Sequence, residues 1–166
     1  MADGLLVGRF QPFHLGHLEA LRFALDVTDR LWMGIGSSNR PVEAANPFTP
    51  DERRRMILSS IDGNMSERIS IYDIPDVDNH AKWLELIDTI VPPFELVFTN
   101  DDLTEHLYSR RAGVRTVRIP FLHRSRLSGT HIRTVITGGG DWQGLVPPGT
   151  RQVLLQCGAE ARLANL

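Results

Sequence analysis

Short apolar runs alternate with helical sequence patterns along the whole chain of 166 residues. Parallel strands covered by helices on both faces produce this alternation, because each strand is buried on both sides and the chain returns to the next strand through a helix. The sequence therefore predicts a doubly wound, Rossmann-like α/β fold. We expect one domain over residues 1–166, since a chain of this length buries a sufficient core without a second domain.

Local signals place the elements of this fold. Strands are predicted near Gly4 to Val7, Leu31 to Ile35, Ile69 to Ile74, Leu96 to Thr99 and Val114 to Ile119. Thr49-Pro50-Asp51-Glu52 is a capping box with proline at the first helical position, and it predicts a helix that runs to about Ile61 and is ended by Asp62-Gly63-Asn64. Further helices are predicted over His80 to Val91, from Asp102 to before Gly113, from Ser128 or Thr130 to Gly138-Gly139-Gly140, and after Pro147-Pro148.

Composition and charge exclude several kinds of partner. A net charge of -2 argues against a broad nucleic-acid surface, whose affinity would depend on neutralising many phosphates. The single cysteine, Cys157, has no partner for an internal disulfide, and no charged-then-apolar leader or long apolar span occurs. We expect a soluble cytoplasmic protein that binds neither nucleic acid nor membrane.

The choice of basic residues restricts the chemistry further. Lys82 is the sole lysine among the 18 basic residues, and the others are arginines. No Walker A lysine is therefore present, and no lysine other than Lys82 could form a Schiff base or a covalent nucleotidyl intermediate. Phosphate chemistry in this chain must depend on arginine, histidine, backbone amides or a metal ion.

The segment Gly8 to His17 joins the first predicted strand to the first predicted helix. His14 and His17 share one face of that helix start, where backbone N–H groups also point outward. Gly16 lets a ring or a phosphate approach the backbone, and Arg9 supplies a planar cation suited to phosphate. The pattern predicts a site for a nucleotide phosphate. A plain polar helix start and a zinc site are alternatives, although no third zinc ligand lies nearby.

A second segment, Ser128-Gly129-Thr130-His131-Ile132-Arg133, begins a later helix. Ser128 or Thr130 caps the helix, and Gly129 exposes backbone amides. Arg133 lies about one turn inside, on the side that faces an anion at the helix start. Taken alone, the segment is an ordinary helix start. The carboxyl ends of parallel strands meet at one edge of the sheet, so we expect both segments at that edge, together with Gly36 to Asn39 and Thr99 to Asp102.

Together these motifs resemble the nucleotidyltransferases with a His-x-Gly-His signature, and more closely the archaeal-type nicotinamide mononucleotide adenylyltransferases. The residues that carry the resemblance are Gly8 to His17, Gly36-Ser37, Asn46 to Thr49 with Glu52-Arg53, Trp83, Pro93-Phe94, Ser128 to Arg133 and Asp141-Trp142. They span nearly the whole chain in the order that the family shows.

The resemblance implies adenylyl transfer from ATP, with Mg²⁺, to nicotinamide or nicotinate mononucleotide, and a homo-oligomer. It implies three catalytic residues, His14, His17 and Arg133, of which His17 contacts the transferred α-phosphate and Arg133 the β and γ groups. It implies an ATP site formed by Arg9, Phe10, His14, Gly16, His17, Arg124, Arg126, Ser128, Gly129, Thr130 and Arg133. It implies a mononucleotide site formed by Gly36, Ser37, His80, Trp83 and Asn100, with no metal held by protein side chains.

Some positions depart from the family pattern, and they leave alternatives open. Ala45 stands where the family commonly has a phosphate-binding arginine, which Arg40 could replace, and His80 stands where asparagine is frequent. Trp83 is predicted to stack on the nicotinamide ring, but the helical pattern also allows a core tryptophan. The alternatives to the leading function are adenylyl transfer to another phosphate monoester such as phosphopantetheine, and a nucleotide-binding module with weakened catalysis.

Overall fold

A computed structural model describes residues 1–120 and 125–166 of the chain. Within them lies a parallel sheet of five strands in the order β3-β2-β1-β4-β5. The strands are β1 (Gly4–Gly8), β2 (Leu31–Ile35), β3 (Ile69–Asp73), β4 (Leu96–Phe98) and β5 (Arg115–Val117). Every pair of neighbouring strands is parallel, with Leu6 of β1 in register with Met33 of β2 and Leu5 in register with Val97 of β4. The predicted doubly wound α/β class is confirmed.

Helices connect these strands and cover the sheet. They are α1 (Leu15–Asp26), α2 (Pro50–Ser59), α3 (Gly63–Arg68), α4 (His80–Ile90), α5 (Asp102–Ser109), α6 (Gly129–Thr137), α7 (Pro148–Gln156) and α8 (Ala159–Ala164), with a short 3-10 helix at Gln143–Leu145. The capping box predicted for α2 is present, because the Thr49 side chain accepts from the Glu52 N–H and the Glu52 carboxylate accepts from the Thr49 N–H. All five residues of β2 are buried, as a central strand covered on both faces requires.

The largest differences from the sequence prediction concern the ends of helices and strand β5. Helix α2 ends at Ser59, and Asp62 begins the short helix α3 by accepting from the Met65 N–H at 2.8 Å, so the signal predicted to be a helix end is a helix start. One last helix was predicted after Pro147-Pro148, and Gly158, with φ of 63°, divides that segment into α7 and α8. Strand β5 stops at Val117 because the backbone of Ile119 bonds the Asn100 side chain instead of a neighbouring strand.

The order of the strands fixes where a ligand can bind. From β1 the chain continues to β2 and β3 on one side of the sheet, and it then crosses over to β4 and β5 on the other side. Beyond the carboxyl ends of β1 and β4 the loops therefore diverge and leave a crevice, which is where open parallel sheets bind nucleotides. Among the described residues, none of the helices is long and apolar enough to cross a membrane.

Candidate active site

Two cavities lie side by side at this crevice, each of about 460 Å³. The cavity that we call the Trp83 cavity is lined by Trp83, Gly36, Ser37, Asp76, Arg9 and Tyr108, among others. The cavity that we call the His17 cavity is lined by His17, Phe10, Asn100, Asp102 and Ile119, among others. Both are lined by Val7 and Gly8 of β1, Phe98 of β4, and Thr99 and Asp101 of the loop that follows β4. Two ligands bound there would meet above the end of β1.

The N-terminus of α1 holds both histidines of the first motif. His14 is the N-cap residue, and its Nδ1 accepts from the backbone N–H of His17 at 3.3 Å. The Nδ1 of His17 accepts in turn from the backbone N–H of His14 at 3.2 Å. The two imidazoles thereby occupy the positions that a serine and a glutamate take in a capping box, and each ring is held by a backbone donor.

This reciprocal cap also sets which nitrogen of each ring carries the proton. A nitrogen that accepts a hydrogen bond has its lone pair free, so in the neutral ring the proton is on Nε2. The rings stack with centroids 3.6 Å apart and an interplanar angle of 20°. His14 and His17 can therefore each donate one N–H while remaining uncharged.

Burial keeps both rings uncharged at neutral pH. His14 is 3% exposed, and desolvation lowers its pKa to about 4. Desolvation also lowers the pKa of His17 well below its ordinary value, and the neighbouring His14 lowers it further because two stacked cations would repel. Phe10 packs edge-on against the His17 ring at 4.8 Å and Phe13 stacks on it at 5.7 Å, which accounts for the apolar surroundings.

Two glycines of the first motif make room for aromatic side chains of the same motif. A Cβ at Gly16 would lie 2.9 Å from the His14 ring, and a Cβ at Gly8 would lie 2.8 Å from the Phe10 ring. The sequence predicted that Gly16 admits a ring or a phosphate, and the ring that approaches it is the imidazole of His14. Phe10 has a φ of 51°, which turns the chain sharply after β1 and brings its ring back over Gly8.

Gln11 joins the first motif to two distant segments. Its side-chain amide donates to Asn46 Oδ1 at 2.7 Å and to the Phe48 carbonyl at 3.0 Å, and its Oε1 accepts from the Phe48 N–H at 3.0 Å. Its backbone carbonyl accepts from Arg133 Nη1 at 2.8 Å. Arg133 is 122 residues further along the chain, so this contact brings the two sequence motifs together as the sequence analysis expected.

Helix α6 presents the rest of the second motif at the same place. Ser128 is its N-cap and accepts from the His131 N–H at 3.1 Å, while Thr130 accepts from Arg133 Nη2 at 3.4 Å. A Cβ at Gly129 would lie 2.9 Å from Arg133 Nη1 and 3.2 Å from the Gln11 carbonyl oxygen, so glycine lets the two motifs touch. Arg126 is exposed. Arg124, also predicted to bind ATP, lies outside the described residues.

Three arginines concentrate positive charge around the end of β1. Desolvation lowers the pKa of Arg133, and the nearby Arg9 lowers it further. Arg53 is fully buried, and desolvation lowers its pKa to about 10, so it remains charged at neutral pH. Its Nη1 donates to the carbonyls of Arg9 at 2.8 Å and Gly36 at 2.7 Å, which ties together the loops after β1 and β2. Like charges held this close favour an anion between them.

Local sequence patterns did not predict that Arg53 or Gln11 belongs to the site. Arg53 follows the capping box by one residue, and nothing at that position indicated burial. Gln11 carried no signal beyond its place inside the first motif. Both act through contacts with residues 17 to 122 positions away, which local sequence patterns do not reveal.

The five residues predicted to bind the mononucleotide do not all line one cavity. Gly36, Ser37 and Trp83 line the Trp83 cavity together. His80 is exposed at the start of α4 and does not line that cavity among the described residues. Asn100 lines the His17 cavity instead, and its side-chain amide bonds the N–H and the carbonyl of Ile119, both at 2.8 Å. Trp83 is partly buried, so it packs on the apolar core and also reaches the cavity.

Ala45 and Arg40, where the chain departs from the family pattern, are both bonded to other residues of the protein. Ala45, which stands at the position of the expected arginine, accepts through its carbonyl from Arg9 Nη2 at 2.9 Å. Arg40 is exposed and pairs with Glu43 at 2.9 Å and Asp76 at 3.7 Å, so loop carboxylates hold its guanidinium. In the part of the chain that the structure describes, no group of three or more histidine, cysteine, aspartate or glutamate side chains is arranged to hold a metal ion.

Comparison with known proteins shows the family to which this chain belongs. Residues 5–135 match the family model described as cytidylyltransferase-like. A curated nicotinamide-nucleotide adenylyltransferase of Pyrococcus abyssi is 35% identical over 167 residues, which cover 100% of this chain and 89% of that protein. Another, from Saccharolobus solfataricus, is 34% identical over 168 residues, covering 100% of this chain and 97% of that protein. The chain belongs to the cytidylyltransferase-like family, among its archaeal-type nicotinamide mononucleotide adenylyltransferases.

Solved structures of other nucleotidyltransferases share the fold. A bifunctional NMN adenylyltransferase/ADP ribose pyrophosphatase from Francisella tularensis, complexed with AMP and a manganese ion, superposes with a TM-score of 0.78 at 19% identity. It matches 99% of this chain, which spans 52% of that longer protein. The nicotinic acid mononucleotide adenylyltransferase of Plasmodium falciparum gives a TM-score of 0.65 at 13% identity, covering 96% of each chain.

The neutral histidine pair predicts how the stability of this family member depends on pH. Because the folded pKa of His14 lies below its unfolded value, the unfolded chain binds more protons between about pH 6.5 and pH 4. The unfolding free energy is therefore expected to fall as pH drops through that window. His14 alone accounts for a loss of about 2 kcal/mol between pH 7 and pH 5.

Urea titrations at pH 5, 6 and 7 measure this loss. His14→Asn keeps an N-cap side chain but has no titrating ring at this position. We therefore expect its unfolding free energy to differ less between pH 7 and pH 5 than that of the wild type. The matched control, His131→Asn, changes an exposed histidine of α6 and is expected to preserve the wild-type dependence. An identical pH dependence in His14→Asn and the wild type would contradict the assignment.

Proposed function

We propose that this protein transfers the adenylyl group of ATP to nicotinamide or nicotinate mononucleotide, giving the dinucleotide and pyrophosphate. The observation that carries the proposal is the junction of the two motifs: Arg133 bonds the Gln11 carbonyl within the segment that holds His14 and His17. The Trp83 cavity adjoins that junction and supplies room for a second nucleotide. The function is also that of the curated relatives, which are 34–35% identical along the whole chain.

The reaction needs no nucleophile from the protein. The phosphate oxygen of the mononucleotide attacks the α-phosphorus of ATP, a new P–O bond forms, and the bond to the β-phosphate oxygen breaks. The pyrophosphate leaves with the electron pair of that bond. A phosphate monoester is already anionic at neutral pH, so the protein has to align two anions and stabilise the charge that gathers on the leaving group.

The side chains at the junction suit that task. The Nε2–H groups of His14 and His17 donate to phosphate oxygens, with His17 at the α-phosphate because it lines the open cavity while His14 is nearly covered. Arg133 holds the β- and γ-phosphates with a fixed charge, and the backbone N–H groups at the start of α6 face the same anion. Arg9, Arg124 and Arg126 serve as further cations, and Phe10, Gly16, Ser128, Gly129 and Thr130 complete the ATP site.

In this proposal Mg²⁺ would be brought to the site on the ATP phosphates, as the resemblance to the nucleotidyltransferases implies. When bound, Mg²⁺ neutralises charge on the triphosphate and polarises its oxygens.

The acceptor lies in the Trp83 cavity with its cationic pyridine ring on the Trp83 indole, near Gly36 and Ser37. His80 and Asn100, which do not line this cavity, are proposed to contact the mononucleotide from its periphery. We also propose that the enzyme is a cytoplasmic homo-oligomer, as the resemblance of its motifs implies.

An acceptor assay tests the proposed function. The protein is incubated with Mg-ATP and one acceptor at a time, and released pyrophosphate and the dinucleotide are measured together. Release with nicotinamide or nicotinate mononucleotide, and none with phosphopantetheine, is the expected result. Release with phosphopantetheine alone would assign the chain to another adenylyltransferase, and ATP binding without release would indicate a binding module.

Replacing His17 tests the phosphate contact. His17→Ala removes the Nε2–H donor at the α-phosphate, and we expect kcat to fall by about 100-fold to 1000-fold. The same change removes one capping acceptor, at a cost of about 1 kcal/mol in stability. Activity is therefore measured well below the melting temperature, beside His131→Ala, which should keep wild-type turnover. A His17→Ala enzyme with nearly full kcat would show that this ring does not contact the reacting phosphate.

Replacing Trp83 separates its two possible roles. If the indole stacks on the pyridine ring, Trp83→Ala raises the KM for the mononucleotide by about 10-fold or more, since a shielded cation–π contact is worth up to about 2 kcal/mol. The KM for ATP should change by less than about twofold, because ATP lies in the neighbouring cavity. Equal effects on both substrates, or loss of the folded state by circular dichroism, would instead assign Trp83 to the core.

A further inference from the structure

Arg162, in the last helix α8, bonds a segment beside the active site although it lines neither cavity among the described residues. Its Nη1 donates to the Pro47 carbonyl, 115 residues away in sequence, at 3.0 Å. The same Nη1 donates to Glu52 Oε1 at 2.6 Å, and Nη2 donates to Glu52 Oε2 at 2.9 Å. The guanidinium also lies 5.9 Å from the centroid of the Phe48 ring. Arg162 thus holds residues 46–49, which we call the 46–49 segment, from the side of α8.

The ion pair between Arg162 and Glu52 has a fixed geometry. The two side chains are 26% and 10% exposed, and the carboxylate also accepts from the Thr49 N–H. Burial disfavours charge on Glu52, yet hydrogen bonds from Arg162 and Thr49 outweigh it and lower the pKa of this carboxyl. Two parallel bonds between guanidinium and carboxylate are strong and restrict the orientation of both groups. The pair therefore holds the start of α2 against α8.

The 46–49 segment carries this restraint to the active site. On its other side, the Gln11 side chain bonds both the N–H and the carbonyl of Phe48. The segment therefore lies between Gln11 and Arg162, with bonds to both. Because the Gln11 carbonyl accepts from Arg133, a displacement of the segment would also displace the contact that joins the two motifs.

Hydrophobic packing connects α8 to one half of the site. Leu163, the residue after Arg162, belongs to the buried cluster that contains Phe10 and Phe48. Trp83 packs on a second cluster, which contains none of these residues. A change at Arg162 is therefore expected to act on the half of the site that holds the two motifs, and to leave the Trp83 platform in place.

We propose that Arg162 is a positioning residue for adenylyl transfer, which holds Gln11 in place through the 46–49 segment. The loop that contains Gln11 leads directly to His17, and its backbone is the acceptor of Arg133. Transfer requires both side chains at the reacting phosphates, and a displacement of about 1 Å can lower a rate by about 100-fold. This inference rests on the proposed function, from which it takes the phosphate contacts of these two residues.

Arg162→Met keeps an aliphatic side chain on Phe48 and removes the guanidinium. We expect kcat with Mg-ATP and nicotinamide mononucleotide to fall by about tenfold or more, and the KM for the mononucleotide to change by less than about twofold. The matched control is Arg68→Met, at the opposite edge of the sheet, which should lose stability but keep wild-type kcat well below its melting temperature. Arg68 also donates to three backbone carbonyls, those of Leu25, Thr28 and Asp29.

A double variant separates positioning from the effect of a stranded charge. Arg162→Met leaves the buried Glu52 carboxylate without its partner, whereas Glu52→Gln in the same chain removes the charge and keeps an acceptor for the Thr49 N–H. We expect the double variant to regain part of the lost stability while kcat stays low, and it carries the test if Arg162→Met alone does not fold. Wild-type kcat in the double variant or in Arg162→Met, or an equal loss of kcat in Arg68→Met, would overturn the proposal.

The imidazole signals of His17 in ¹⁵N-labelled protein provide a readout that needs no substrate. We expect these signals to shift in the double variant and to keep their wild-type positions in Arg68→Met. Unchanged His17 signals in the double variant would overturn the positioning role. A wild type that releases no pyrophosphate with nicotinamide or nicotinate mononucleotide would refute the proposed function, while the His17 signals would still decide whether Arg162 positions this ring.

Discussion

The hydrogen bond between the Gln11 carbonyl and Arg133 holds the site together. The donor and acceptor are 122 residues apart, and the loop after β1 meets the start of α6 through this contact. The side chain of Gln11 simultaneously bonds Asn46 and Phe48, so the loop before α2 is fixed to the same residue. A single buried glutamine thus connects three segments, and both the amide nitrogen and the amide oxygen of its side chain are bonded within the protein. Loss of one partner would leave a buried polar group unsatisfied.

Charge at the site is divided between two kinds of group. The arginines supply fixed positive charge, while His14 and His17 are neutral because burial lowers their pKa values, and each keeps its proton on Nε2 because its Nδ1 accepts a backbone hydrogen bond. This division suits a reaction that brings two anions together. In the proposed reaction the cations attract both nucleotides, and the neutral donors bind the transferred phosphate without a proton equilibrium near pH 7. With one lysine in the chain, arginine and histidine side chains have to provide both functions.

Local sequence patterns predicted the fold closely and the site in part. The strand Leu31–Ile35 matches its prediction, because a run of buried apolar residues between turn signals has few other conformations. Asp62 was misread because a helix cap and a helix stop share the same residue types. The meeting of the two motifs followed from the rule that parallel strands end at one edge. The roles of Gln11 and Arg53 could not be predicted, since both depend on burial and on partners far away in sequence.

The central claim is that both histidines of the first motif are neutral and carry their protons on Nε2. Two-bond ¹H–¹⁵N correlation spectra of uniformly ¹⁵N-labelled protein at pH 7 report the protonation of each imidazole nitrogen, with His14→Asn and His131→Asn used for assignment. We predict the Nε2–H form for His14 and His17, unchanged at pH 6, and a shift of the His17 Nε2 signal when a non-hydrolysable ATP analogue is added. A doubly protonated ring at pH 7, or an Nδ1–H form at either position, would contradict the account.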